Sequence, residues 1–183
     1  GAPYVEDDPT APTGVYGATK LAGEQAVLGA GGESLVLRTS WVYSATGRNF
    51  VRTMLNAALK TNRLRVVADQ TGCPTAAADF SEVILNIAER LRDGGWKDGY
   101  GGVFHAAGSD FTTWHGLAEA VFEEAARHGG PKPIVEPIAT ADWPTPAARP
   151  PDSRLDCSRL ERVFGQSMPH WRISLAREVA AMT

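Results

Sequence analysis

The sequence contains few cysteines, no long apolar run and no strong excess of charge. Its 183 residues include two cysteines and carry a net charge of −3. No stretch approaches the about 20 consecutive apolar residues that cross a bilayer, and the acidic N-terminal segment is unlike a basic secretory signal. A net charge this small does not favour nucleic acid or an anionic membrane as the main partner. We therefore expect a globular cytoplasmic protein.

Metal and disulfide chemistry have little support in the sequence. Cys73 and Cys157 stand alone, without a neighbouring cysteine or histidine at metal-ligand spacing. We expect two reduced thiols, and a single disulfide is the less favoured alternative. The four histidines are scattered along the chain, so no zinc site or other protein-held metal is predicted.

A glycine-rich phosphate loop is also missing. Dinucleotide-binding α/β proteins place a pattern such as GxGxxG between a strand and a helix, and neither GxGxxG nor GxxGxxG occurs here. The glycines at 29, 31 and 32 follow a predicted helix and precede a predicted strand, which is the reverse order. We therefore expect the sequence to begin within a domain, with an N-terminal glycine-rich half absent.

What the sequence does contain is an alternation of helix and strand patterns. A helix is predicted from Val15 to Leu28, and the apolar run SLVLRTS after it is typical of a buried strand. Ser158 and Glu161 form an S-x-x-E pattern that predicts a capping box. The remaining predicted elements are the helices in NFVRTMLNAAL, DFSEVILNIAERLRD and TTWHGLAEAVFEEA, a last helix near 171–182, and the strands LRVV, GVFHAAG and KPIVEPI. This order favours the α/β class, with a parallel sheet.

The segment VYGATKLAGE places Tyr16 and Lys20 four positions apart in the first predicted helix. Residues at this spacing share a helix face, with Cβ atoms about 5–6 Å apart. A free phenol has a pKa of about 10, and a nearby ammonium lowers it and makes the proton easier to transfer. The spacing alone also arises by chance, so it indicates acid–base chemistry only together with its context.

That context resembles the extended short-chain dehydrogenase/reductase family, and within it the reductases of dTDP-linked 4-keto sugars. The matching stretches are YGATKLAGE, LVLRTSWVY, GRNFVRTML, DQTGCPT, TTWHGLAEAVFEEA and WPTPAARPPDSRLD, in that order. The resemblance implies the C-terminal part of a Rossmann-type fold, a parallel-sheet remnant with a small mixed α/β substrate-binding domain. Residues 1–45 would be the remnant of the cofactor-binding domain, and residues 46–183 would mainly bind a nucleotide sugar.

The resemblance also implies an activity. This is the NAD(P)H-dependent reduction of the C4 ketone of dTDP-4-dehydro-L-rhamnose to dTDP-L-rhamnose, a precursor of cell-surface polysaccharide. Tyr16 would protonate the C4 oxygen as hydride arrives from NADPH or NADH, and Lys20 would bind the nicotinamide ribose and lower the pKa of Tyr16. Mg²⁺ is sometimes associated with the family, but the sequence offers no ligand set for it.

Other candidate site residues follow from their positions. Trp41, just beyond the strand SLVLRTS, would form an apolar wall for the sugar, or would be a core residue instead. Thr39 and Ser40 on the same turn are candidates to contact the nicotinamide. Arg149 and Arg154 in the proline-rich loop are candidates for the diphosphate, with a solvated surface role as the alternative.

Two further polar residues have a structural alternative of equal or greater weight. Asn49 begins a helix and is a candidate anion contact or a plain helix cap. Gln70 is a candidate substrate contact, although a role in the turn is favoured. Trp114 is expected to pack, and His115 to be structural.

Two other functions remain open at this point. One is a nucleotide-sugar epimerase or dehydratase of the same superfamily, and the other is a non-catalytic, reductase-like regulatory subunit of methionine adenosyltransferase. Whatever the function, the isolated chain would expose an apolar face of its first helix, because the strands expected to cover that face are absent. We therefore expect the chain to form a homo-oligomer or to associate with the absent N-terminal half, and to be inactive alone.

Overall fold

Helices and short strands alternate along the chain as the hydrophobic pattern predicts. The computed structural model describes residues 1–145, 147 and 149–182. The helices are α1 (Val15–Gly29), α2 (Phe50–Ala58), α3 (Ala77–Gly94), α4 (Trp114–Arg127), α5 (Ser158–Phe164) and α6 (Trp171–Ala180). The strands are β1 (Leu35–Arg38), β2 (Val42–Tyr43), β3 (Arg63–Val67), β4 (Thr71–Gly72), β5 (Thr75–Ala76), β6 (Gly102–His105), β7 (Thr112–Thr113), β8 (Ile134–Ile138) and β9 (Asp152–Ser153).

Parallel pairing dominates the small sheets. β1 pairs with β6, β2 with β5, and β3 with β8, all in parallel. The remaining sheet has β4 at its centre, antiparallel to β7 and parallel to β9. Parallel strands need crossover connections, and helices supply them here. The predicted α/β class is therefore confirmed.

Side-chain caps set the start of two helices. The Asn49 side chain accepts a hydrogen bond from the backbone N–H of Arg52 at 3.2 Å, and Thr113 accepts one from Gly116 at 3.0 Å. Each cap satisfies an N–H group that has no partner within its helix. Asn49 is therefore the cap of α2, as one of its two predicted roles requires.

The capping box predicted at Ser158 does not form, so that prediction is wrong. Cys157 precedes α5 without a side-chain cap, and Ser158 is the first residue inside the helix. The carboxylate of Asp156 accepts the backbone N–H of Ser158 at 2.8 Å. The Ser158 hydroxyl instead accepts a hydrogen bond from Arg162 at 2.9 Å. The Asp156 carboxylate therefore accepts the N–H group that the capping-box pattern assigned to the Glu161 side chain.

Two buried clusters hold the elements together. The first joins α2, α4 and α6 through residues such as Val51, Val121 and Leu175, and half-buried Trp41 and Trp114 pack against it. The second joins α3, β6 and α5 through side chains such as Phe104 and Phe164. The first cluster supports the floor of the larger cavity described below.

Helix α1 contributes no buried residue to either cluster. It lies against β1, where Arg38 and Glu24 form an ion pair with donor–acceptor distances of 2.7–3.1 Å. Val15 remains 81% exposed, and the alanines at positions 18, 22 and 26 are also exposed. The apolar face that the sequence predicts for α1 is thus uncovered in this chain.

Candidate functional site

A cavity of about 470 Å³ opens between α2, β3, α4 and the proline-rich loop. Its aromatic and apolar wall includes Trp41, Tyr43, Phe50, Met54, Trp114, Leu117 and Trp143. Its polar and cationic lining includes Arg65, Gln70, Thr145 and Arg149. An apolar pocket with a few convergent polar groups is the usual form of a small-molecule site.

Two stacked indoles form one side of this cavity. The rings of Trp41 and Trp114 lie 3.6 Å apart between centroids and within 10° of parallel, and Phe50 contacts Trp114 at 4.7 Å. Trp41 adopts a φ of 47°, which bulky residues rarely adopt. A Cβ on Gly72 would lie 2.4 Å from the Trp41 ring. The absence of a side chain at position 72 therefore allows the Trp41 indole to lie against β4.

The charge of the cavity is positive. Arg65 and Arg149 line it, and no aspartate or glutamate occurs among the lining residues that the structure describes. Arginine binds phosphate well because its planar guanidinium donates several hydrogen bonds at once. Arg149 is one of the two arginines that the sequence nominated for the diphosphate, and Arg65 is not. The signal for Arg65 was a charged residue between Leu64 and Val66 in a half-buried strand.

Arg154, the other predicted arginine, lies outside this lining. Its guanidinium binds the Asp152 carboxylate at 2.6 Å and stacks over the Phe111 ring at 4.8 Å. Hydrogen bonds from Arg154 lower the pKa of Asp152. Asn49 is similarly occupied, because its amide nitrogen donates to the Ser44 carbonyl at 2.7 Å while its oxygen caps α2.

Tyr16 and Lys20 are brought together on α1. The Lys20 Nζ lies 5.5 Å from the centroid of the Tyr16 ring, and the Tyr16 side chain is 75% exposed. Lys20 lines a second cavity of about 410 Å³ together with Arg38, His105 and the N-terminal segment. Tyr16 lines neither cavity, and the two cavities have no lining residue in common among those that the structure describes. Within this chain, the tyrosine–lysine pair and the Trp41 cavity are separate.

Thr39 and Ser40 connect β1 to the Trp41 turn. Ser40 is buried, and its hydroxyl donates to the Ser153 carbonyl at 3.4 Å. The Thr39 hydroxyl oxygen is buried and has no hydrogen-bond partner among the described residues. A buried hydroxyl without a partner is costly, so the described residues leave the hydrogen-bonding capacity of Thr39 unused.

The thiols and histidines show no site of their own. Both cysteines are free, and burial raises the pKa of Cys157 to about 11. His115 contacts the Val135 carbonyl at 3.2 Å and Glu119 at 3.3 Å, which are structural contacts. Across residues 1–145, 147 and 149–182, no three His, Cys, Asp or Glu side chains converge as metal ligands. No ligand set among these residues supports the Mg²⁺ that the family resemblance raised. A membrane-spanning helix is likewise not found in the described part of the chain.

Comparisons with known proteins place the chain in a family. Residues 1–183 match the profile of the RmlD substrate binding domain. The dTDP-4-dehydrorhamnose reductase of Sinorhizobium fredii is 46% identical over 180 residues, an alignment covering 98% of this chain and 60% of that protein. The chain thus spans about 60% of the length of such curated relatives.

Solved structures agree with this match. A dTDP-4-dehydrorhamnose reductase from Clostridium acetobutylicum has a TM-score of 0.88 and 31% identity, covering 98% of this chain and 60% of that one. The enzyme from Bacillus anthracis in complex with NADP has a TM-score of 0.85 and 32% identity, covering 97% and 59%. They confirm the predicted fold, the C-terminal part of an extended short-chain dehydrogenase/reductase. The chain belongs to the RmlD substrate-binding domain family.

Proposed function

We propose that this chain is the nucleotide-sugar-binding part of a dTDP-4-dehydrorhamnose reductase and that it also carries the acid–base pair of the reaction. The observation that carries the proposal is the cavity that combines two stacked indoles with two arginines and no described carboxylate. An anionic ligand with a flat or apolar group fits these features. A dTDP-linked deoxysugar has both a diphosphate and apolar ring surfaces.

Within the cavity, we assign the diphosphate to Arg149 and Arg65. The edges of Trp41 and Trp114, with Phe50, would contact the apolar parts of the nucleotide sugar. Because the Arg154 guanidinium already binds Asp152, and Asn49 caps α2, we assign these two predicted ligands to holding the loop and the helix start. Arg154 and Asn49 would thus stabilise the elements around the cavity without lining it.

The chemistry would be carried by Tyr16 and Lys20. A nicotinamide cofactor, NADPH or NADH, supplies hydride to the C4 carbon when it is bound, in keeping with the NADP complex of the Bacillus anthracis relative. Tyr16 would donate its hydroxyl proton to the C4 oxygen, and the Lys20 ammonium would stabilise the resulting phenolate and bind the ribose. The free hydroxyl of Thr39, with Ser40 beside it, would meet the nicotinamide amide. The part of the relatives' sequence that has no counterpart in this chain would complete a cleft that joins Tyr16 to the Trp41 cavity.

The division near residue 45 stays a prediction. The pairing of β1 with β6 means that residues 102–105 would belong with the cofactor-binding part. The uncovered face of α1 supports association with a further segment or with a second copy. Sedimentation of the 183-residue chain as a clean monomer would contradict this proposed association.

The proposal is tested with the protein at the full length of its relatives. We expect NADPH absorbance to fall when dTDP-4-dehydro-L-rhamnose is added, with dTDP-L-rhamnose as the product, and we expect dTDP to quench the tryptophan fluorescence of the cavity. An epimerase or dehydratase would change the sugar without net consumption of NADPH. A protein that co-purified with methionine adenosyltransferase and consumed no NADPH would be a regulatory subunit. The family match and the Sinorhizobium fredii relative favour the reductase.

A further inference from the structure

We infer that Gln70 is a positioning residue that couples the stacked indoles of the cavity to the loop bearing Trp143 and Arg149. The inference rests on the proposed function, because it assumes that this cavity holds the nucleotide sugar. The sequence alone favoured a turn role for Gln70, and the structure gives this side chain partners on both sides.

A continuous chain of hydrogen bonds carries the inference. The Trp114 Nε1 donates to the Gln70 side-chain oxygen at 3.2 Å, and the Gln70 nitrogen donates to the Thr140 hydroxyl at 3.0 Å. The Thr140 hydroxyl donates in turn to the Asp69 carboxylate at 2.6 Å, and the Thr140 backbone N–H binds the same carboxylate at 2.9 Å. These bonds from Thr140 lower the pKa of Asp69.

The donor-to-acceptor direction of this chain of hydrogen bonds is determined by the groups at its two ends. An indole N–H can only donate, and an ionised carboxylate can only accept. The Thr140 hydroxyl must therefore give its hydrogen to Asp69 and accept from the Gln70 nitrogen, which leaves the Gln70 oxygen for Trp114. Only one orientation of the amide satisfies all the groups. Gln70 is 6% exposed, so water does not readily replace either partner.

The two ends of this hydrogen-bond chain belong to different segments around the cavity. Trp114 lies flat on Trp41. Thr140 begins a short 3₁₀ turn, Thr140–Asp142, which leads directly into Trp143. Trp143 is 54% exposed, so burial alone does not hold this loop. Hydrogen bonds to Asp69 and Gln70 therefore preorganise the turn that leads into Trp143, which lowers the entropic cost of ligand binding.

The test uses Gln70→Leu, Thr140→Val, the double variant and Thr140→Ser in the full-length protein. Gln166→Leu is the matched control, because Gln166 accepts a side-chain hydrogen bond from Asn86 outside this cavity. The measurements are the Kd for dTDP from tryptophan fluorescence, the KM and kcat for the sugar substrate, and the near-ultraviolet circular dichroism of the stacked indoles. The circular dichroism measurement needs neither a ligand nor turnover.

We expect Gln70→Leu and Thr140→Val each to raise Kd and KM about 3- to 30-fold while kcat changes less than about twofold. The double variant should be no weaker than the worse single variant, since both break one chain. Both single variants should alter the indole circular dichroism, and Thr140→Ser and Gln166→Leu should resemble wild type.

Additive losses, an unchanged Kd, or an indole spectrum that Thr140→Val leaves unaltered would overturn the inference. If wild type itself bound no dTDP, the proposed function would fail. In that case the spectra of Thr140→Val and Thr140→Ser would still decide whether Gln70 couples the two segments.

Discussion

The indole of Trp114 lies parallel to that of Trp41, with 3.6 Å between the ring centroids. Aromatic pairs usually prefer an offset or edge-to-face arrangement with centroids about 4.5–7 Å apart, so this closer face-to-face contact depends on the residues around it. The pair is held from both sides, because Gly72 lies against Trp41 and Gln70 accepts a hydrogen bond from Trp114. Both supporting residues come from the single segment DQTGCPT.

Gly72→Ala should displace the Trp41 indole. The added Cβ would lie 2.4 Å from the ring and 2.7 Å from the Ser153 hydroxyl, and overpacking of this kind costs about 1–3 kcal/mol. We expect a lower free energy of unfolding in urea and weaker binding of dTDP. Gly23→Ala is the control, since its Cβ would meet nothing within 4 Å in helix α1. Equal stability of the Gly72 variant and wild type would contradict the close contact.

Tyr16→Phe should abolish most of the reductase activity of the full-length protein while leaving dTDP binding intact. The substitution removes the proton donor, and a positioned general acid contributes about 10²- to 10⁴-fold to the rate. Lys20→Met should lower kcat as well and raise the KM for the cofactor. The fall in NADPH absorbance measures the turnover of both variants. Lys60→Met is the matched control for Lys20→Met, because Lys60 is exposed. Full turnover by Tyr16→Phe would exclude the assigned role.

The two predicted arginines should respond differently to removal. Arg149→Ala should weaken dTDP binding about tenfold or more, with a reduced dependence of Kd on salt, since charge-assisted bonds to phosphate are lost. The stability of the protein should change little, because Arg149 is exposed. Titration of dTDP at two salt concentrations measures the effect.

Arg154→Ala should instead lower the free energy of unfolding, because it leaves the half-buried Asp152 carboxylate without its ion-pair partner. The folded Arg154→Ala variant should bind dTDP with a Kd close to that of wild type. A large loss of affinity with unchanged stability would place Arg154 in the binding site after all.

The thiol of Cys157 should be unreactive in the folded protein. Burial raises its pKa to about 11, and burial also raises the pKa of Cys73. An aromatic disulfide reagent at pH 8 should therefore modify neither thiol quickly, and should titrate both in denaturant. Rapid reaction of the folded protein at pH 8 would contradict the burial of these groups.

The same pKa shift predicts a loss of stability in alkali. In the unfolded chain the thiol ionises at a pKa of about 8.5, whereas in the folded protein Cys157 keeps its proton until about pH 11. As pH rises above the unfolded value, ionisation favours the unfolded state. Cys157→Ala should fall less in stability than wild type between pH 8 and pH 10, as urea unfolding would measure.

The sequence was sufficient for the elements whose signal is local. The apolar period of DFSEVILNIAERLRD predicted α3, and the candidate cap Asn49 marked the start of α2 where the structure has it. The Tyr16–Lys20 contact was also predictable, because residues four apart meet on any α-helix. At Ser158 the capping-box pattern failed, because the Asp156 carboxylate accepts the Ser158 backbone N–H in place of Glu161.

The composition of the cavity was decided by the tertiary structure. Trp114 and Gln70 are separated by 44 residues, and their hydrogen bond depends on the pairing of β4 with β7, the strand that leads into α4. Local periodicity determines which residues form a helix or strand. It does not determine which side chains from separate elements converge. For the same reason the sequence could nominate Arg149 and Arg154 in one loop, but only the tertiary structure showed that Arg149 lines the cavity while Arg154, paired with its neighbour Asp152, packs over Phe111.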